Sequence, residues 1–293
     1  MLLGRSLPQG MQISWLPHSI DTYHHLLSCA VYFLIISHSM SDPSTTIELL
    51  KNTASVVNKT CNGPAPADAL KRPQWEMSGA HALLIAGFLS IYEQAPSVLP
   101  VYHQDFVRYA LVWLAVLQDH HWFEEELYFP MFPSKFESET ILKEHEAFHQ
   151  GVLRTEEYLV SCLPIGEKWG HGKTVALSET RKNKDVVSFD GEYLRQILES
   201  YVVPLLDHLQ AEIEYLEPAN LTASGMTEAD VIHTEDVSKA HFTTMPMSTI
   251  LTFAVLVSPN KEFPPAPSFI KYPLVPWVFY WFHRSWWQFV PKK

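Results

Sequence analysis

Three stretches of this chain set metal-ligand side chains four residues apart: His120/Glu124, His145/His149 and His208/Glu212. Residues four apart on a helix project from one face, close enough to hold one centre. A fourth apolar stretch offers His81. One such pair is an ordinary helix-face contact. Three pairs and a lone histidine, each on its own predicted helix, supply five imidazoles and two carboxylates. That set is too large for one metal ion and suits two. A chain that must bring it together needs four helices facing one another.

The surrounding pattern is helical. The first predicted helix runs from Gln74 to Gln94 and ends before Pro96. The second runs from Val101 to Phe129, with Phe106, Ala110, Trp113, Leu114 and Leu117 on one face and Pro130 and Pro133 as its stop. The third begins at an N-cap, Ser134 or Ser138, and continues to Cys162, with Pro164 and Gly166 beyond it. Residues 164–187 are polar without a period and read as a long loop. The fourth helix spans Asp190 to Leu216, closed by Pro218 and kinked at Pro204, which cannot donate to the helical ladder. Helices joined in this way are expected to form an all-α fold, an antiparallel up-down four-helix bundle over residues 74–218.

The flanks differ from this core. Residues 41–73 carry Asn, Thr, Pro and Lys with weak periodicity, so 1–73 reads as a loosely ordered lead-in. Within it, Leu26–Ile36 is apolar but about 11 residues long, short of the roughly 20 a bilayer span needs. Residues 1–39 read as a leader that precedes an ordinary start at Met40. The tail, 219–293, is rich in proline and holds Trp277, Trp281, Trp286 and Trp287 within eleven positions. It is expected to wrap the bundle and cover apolar surface; the sharper reading is a protein-partner or membrane-interface site.

Charge and cysteine usage narrow the partners. The formal net charge of −11 argues against nucleic acid or an anionic membrane as the main partner of the chain. Cys29, Cys61 and Cys162 form neither a C-x-x-C motif nor an even set, which fits a reducing, cytoplasmic setting rather than a disulfide scaffold.

Imidazole suits iron, zinc and copper, and carboxylate can bridge two cations. Two octahedral irons offer twelve positions. Five histidines, two bridging carboxylates and one oxo or hydroxo bridge fill all but one, which leaves room for a small ligand. His121 is turned about 100° from His120 and is expected to face solvent or the periphery of the site. Glu125 and Glu126 read as outward charge or as acceptors for ligand-ring N–H groups. Trp113, Trp122, Phe123, Tyr128 and Phe148 read first as packing.

Over residues 75–217 the chain resembles the hemerythrin-like proteins, also called HHE cation-binding domains. HHWFEEELYFP (His120–Pro130) looks like that family's second-helix signature, EHEAFH (Glu144–His149) its third, and HLQAEIEYLEP (His208–Pro218) its fourth. The resemblance implies a diiron centre held by His81, His120, Glu124, His145, His149, His208 and Glu212. It implies dioxygen or a similar small ligand as partner, bound reversibly or sensed, or a role in iron or redox sensing. Glu212 lies four residues after its histidine, as in the broad HHE branch, whereas the animal oxygen carriers place the carboxylate five on, where Ile213 stands here. An enzyme acting on peroxide or nitric oxide is the alternative for the same centre. An iron-free bundle that binds a partner through its aromatic tail is another.

Two rivals fit the residues less well. HEAFH also satisfies the zinc-protease pattern H-E-x-x-H, with Glu146 as base, but leaves the other two pairs without a role. Ferritin-like diiron sites use Glu-x-x-His pairs in which carboxylates outnumber imidazoles; here the balance is reversed, which favours binding over strongly oxidising chemistry.

Overall fold

Helix α2, Arg72–Gln94, opens on a proline at its first turn, where the missing N–H costs nothing. It is so thoroughly apolar that most of its length is buried. A computed structural model describes residues 42–136, 138–169 and 185–292, and everything regular among them is helix. Helix α3, His103–Phe123, runs without interruption into a wide π turn, Glu124–Tyr128. Helix α4 spans Ser138–Cys162. The leader to residue 41 and most of the long loop (170–184) lie outside the described residues.

The lead-in is not loose where it is described. Pro43–Thr60 is a helix, α1, whose Thr46, Leu50, Thr53 and Val57 are buried at a four-three-four spacing. It packs along α2. Two of those four inward positions are threonines, so the apolar period is dilute in the sequence even though the helix face is regular.

The fourth predicted helix is also corrected. It is two helices, α5 (Gly191–Glu199) and α6 (Val202–Tyr215), broken at Ser200–Tyr201 rather than kinked at Pro204. Pro204 falls in the first turn of α6, where a backbone donor has no partner in any case. The break turns Tyr201 fully inward, where its hydroxyl accepts from Thr155 at 3.2 Å. Asp190 caps α5 through the amides of Glu192 and Tyr193. Gly191 lets that helix start against the backbone of Ala95: a Cβ there would meet the Ala95 carbonyl oxygen at 1.9 Å.

Two apolar clusters make the core. The larger includes Leu84, Trp113, Leu117, Phe148, Leu159 and Leu209. The smaller includes Met77, Tyr128, Ile141 and Leu216. From Met77 along α2 and from Ile141 along α4 the chain leaves the smaller cluster and enters the larger; along α3 and α6 it passes the other way. Buried His81, His121, Glu124 and His145 fall at these crossings, and on α6 His208 and Glu212 sit in the last turns before the smaller cluster.

After α6 come α7 (Pro218–Ser224), α8 (Glu228–Phe242) and α9 (Thr252–Val257). Thr227 caps α8 in a reciprocal box with Asp230. The tail then seats aromatic rings on the core helices. A Cβ on Gly79 would sit 2.4 Å from the Phe263 ring, and one on Gly87 2.5 Å from Trp113 and 2.9 Å from Phe253. Phe289 packs edge-on to Phe106, and its carbonyl accepts from Ser90 at 2.5 Å and Gln94 at 2.7 Å.

Candidate metal centre

The inward stripe of α4 reads Ile141, His145, Phe148, Val152, Thr155, Leu159, alternating steps of four and three. That of α3 reads Leu114, Leu117, His121, Glu124, Tyr128. Such alternation keeps one helix face on a neighbouring helix. It brings His121 inward and leaves His149, one residue past Phe148 and so about 100° off the stripe, exposed to solvent. Two expectations are corrected together: His149 stands outside the cluster, and His121 stands inside it. Glu146 is exposed as well, so the H-E-x-x-H motif of α4 assembles nothing.

The structure brings the other six expected residues together. Donor atoms of His81, His120, Glu124 and Glu212 lie within 4.8 Å of one another, and so do those of His121, Glu124, His145 and His208. Glu124 belongs to both groups. Its Oε1 is 2.9 Å from His120 Nε2 and its Oε2 3.6 Å from His145 Nε2. Glu212 Oε2 lies 3.1 Å from His81 Nε2 and 3.5 Å from His208 Nε2. The ring of His121 has its centroid 4.5 Å from that of His145 and 5.5 Å from that of His208. The π turn begins at Glu124; such turns interrupt helices preferentially at functional positions.

No family model, no curated protein and no solved structure matches the chain. What the cluster can do therefore rests on its own chemistry.

Three of the five rings are oriented from behind. His81 donates from Nδ1 to the Leu209 carbonyl at 2.6 Å. His145 donates from Nδ1 to Glu125 at 2.7 Å, and His208 from Nδ1 to Glu144 at 3.1 Å. Glu144 in turn accepts from the Tyr215 hydroxyl at 3.0 Å. A proton fixed on Nδ1 leaves the Nε2 lone pair free, and these three Nε2 atoms face the cluster. Opposed Nε2 atoms approach to 3.1 Å in two places, His81 to His120 and His145 to His208.

The electrostatics describe a site that lacks positive charge. Burial drives His81, His121 and His145 below the usual imidazole range, and takes His120 down to about 4. His208 is the exception: burial opposes its charge, but Glu144 and the nearby carboxylates raise it. Burial, with Glu212 beside it, pushes Glu124 well up. Burial also acts against Glu212, but the His81 ring 3.1 Å away and the other surrounding rings hold it down to about 2. All four carboxylate oxygens of Glu124 and Glu212, and Nε2 of His121, are buried without a hydrogen bond. Unpaired buried groups of this kind are costly. Cations among them would satisfy every one, so the donor set fits metal ions.

A cavity of about 90 Å³ reaches His120 and Glu124 between α2, α3 and α8. Met77, Phe123, Tyr128 and Phe263 give it apolar walls, and Glu76 and Glu235 stand at its polar side. Burial and the neighbouring Glu235 push Glu76 up to about 7. Arg72 pairs with Glu235 at 2.5 Å. Sequence reasoning did not single out Glu76 or Glu144, since a lone acid on a helix carries no signal until the fold supplies its neighbours.

Proposed function

We propose that the chain is a hemerythrin-like protein: an antiparallel up-down four-helix bundle with a two-iron centre that binds or senses dioxygen or a related small ligand. The convergence of five imidazoles and two carboxylates, with four carboxylate oxygens unsatisfied, carries this reading. The alternating course of α2, α3, α4 and α6 between the two apolar clusters supports the bundle. The ligand set is His81, His120, His121, His145 and His208 with Glu124 and Glu212, so the resemblance holds in number while one histidine is exchanged.

A pair of irons supplies reversible electron exchange with a small bound ligand. The protein's residues do the rest. Glu124 and Glu212 place negative charge between the two donor groups. Leu209, Glu125 and Glu144 hold the rings in the tautomer that presents Nε2. The apolar walls at Met77, Phe123 and Phe263 keep bulk water from the cavity.

Metal analysis and an absorption spectrum of protein produced with iron test this reading. About two irons per chain and near-ultraviolet charge-transfer bands are expected, and Glu124→Ala should reduce metal retention by roughly tenfold or more. Colourless, iron-free protein, or near-normal iron in that variant, would overturn it. A second reading, an enzyme acting on peroxide or nitric oxide, is favoured by one observation: Glu76 is poised to exchange a proton near neutrality beside His120. Turnover of either substrate separates the two.

A further inference from the structure

The tail turns inside out beyond Phe263. In the wide helix Ile270–Phe279 and the turn that follows it, Lys271 and Val275 are buried. The Lys271 ammonium donates to the Lys261 carbonyl at 2.6 Å. The outward face carries Phe269, Tyr272, Trp277, Val278, Trp281 and Phe282, exposed by 43 to 77%. A segment bathed in water has the opposite arrangement, with its lysine out and its tryptophans in. The inner side rests on α9 and the turn before it, so the exposed side is held in place rather than free to fold away.

Charge separates with it. Glu262 is the last acid of the chain; residues 263–293 contain none, and four cations, Lys271, Arg284, Lys292 and Lys293. Arg284 is exposed and stands over the Trp281 ring, 5.7 Å from its centroid, and Lys292 is exposed further along the tail. Asp105 stands against the tail, accepting from Ser285 at 2.8 Å; acids further off are screened over about 8 Å at physiological salt, so a surface that meets the tail senses mainly the tail's cations.

We infer that this face docks on an anionic lipid bilayer, with Trp277 and Trp281 at headgroup level and Arg284 and Lys292 against the lipid charge. Tryptophan and tyrosine concentrate at membrane interfaces because their rings join an apolar body to a polar edge. Basic side chains add attraction to acidic headgroups. No single helix among the described residues is long and apolar enough to cross a membrane, and an exposed aromatic face of this kind suits contact in the interface plane.

Co-sedimentation of the full chain with phosphatidylcholine vesicles, with and without phosphatidylserine, tests the inference. Binding to the phosphatidylserine vesicles is expected. Trp277→Ser with Trp281→Ser should weaken it by about tenfold per ring, near a hundredfold together. Arg284→Glu with Lys292→Glu should weaken it by roughly tenfold on the acidic vesicles alone. All four positions are solvent-exposed, and circular dichroism checks that the variants stay folded. No sedimentation with either vesicle would overturn the inference. So would equal binding by the tryptophan variant. A dimer in light scattering that this variant converts to a monomer, without vesicle binding, would assign the face to a second copy of the chain instead.

Discussion

His121→Ala should strip the centre of metal, and His149→Ala should leave it loaded. The two residues stand on adjoining helices, and each has a ligand-like histidine nearby. Only His121 is inside: its Nε2 is buried with no hydrogen bond, and its ring packs on His145 and Phe148. Removing a group that merely orients a ligand lowers metal affinity 10- to 100-fold, so loss of a ligand itself should cost about a hundredfold, roughly 2.7 kcal/mol. His149 is exposed, and alanine there should change stability by no more than about 0.5 kcal/mol. Without metal the ranking softens. The unsatisfied ring nitrogen costs the folded state about 1–3 kcal/mol, which offsets much of the cavity left by truncation. Metal-free His121→Ala should therefore melt within about 4 °C of the parent. Equilibrium dialysis against a competing chelator, with metal counted by mass spectrometry, gives the affinities; thermal melts of the metal-free proteins give the control. If His149→Ala loses metal and His121→Ala retains it, the assignment of the inward stripes is wrong.

Two further outcomes follow from the geometry. Gly191→Ala drives a Cβ to 1.9 Å from the Ala95 carbonyl oxygen, so one backbone must shift and chemical denaturation should show a loss of about 3 kcal/mol. In the metal-free protein, folded His120 titrates at about 4 against 6.5 for an ordinary imidazole, and His81, His121 and His145 shift the same way. The unfolded chain's rings then bind more protons in that window, so the stability these four rings contribute is intact above pH 6.5 and is lost as pH falls toward 4, while His208, Glu124 and Glu76, all shifted up, oppose it. Imidazole titrations followed by NMR in the metal-free protein check this directly, and five rings all titrating near 6.5 would contradict their burial.

Ligand chemistry was legible in the sequence wherever spacing and helix phase agree. His120/Glu124 and His208/Glu212 sit four apart and both members reach the cluster. His145/His149 has the same spacing, but spacing alone does not say which of two residues lies on the inward stripe. The alternation through Ile141, His145, Phe148 and Val152 decides it, and the same rule along Leu117, His121 and Glu124 would have found the fifth ring. Helix α1 escaped notice because threonines hold half of its inward positions. The break before α6 escaped because the apolar period continues through it, and Pro204 drew attention away from Tyr201, whose burial sets the bend. Glu125, read from the sequence as outward charge or an acceptor for a ligand ring, is the acceptor for His145, whereas Glu144 and Tyr215 gain meaning only from partners 64 and 71 residues distant in the chain.

The carboxylates behind His145 and His208 are not sealed in. Glu125 is 43% exposed and Glu144 29%, whereas the carbonyl behind His81 belongs to the buried Leu209. The His145 and His208 side of the cluster is thus wired to the outside through a two-member relay of ring and acid, and His81 is not. Salt, a bound protein or a modification at the surface should tune the basicity of His145 and His208 while leaving His81 untouched, which gives the cell a handle on the interior that needs no opening of the fold.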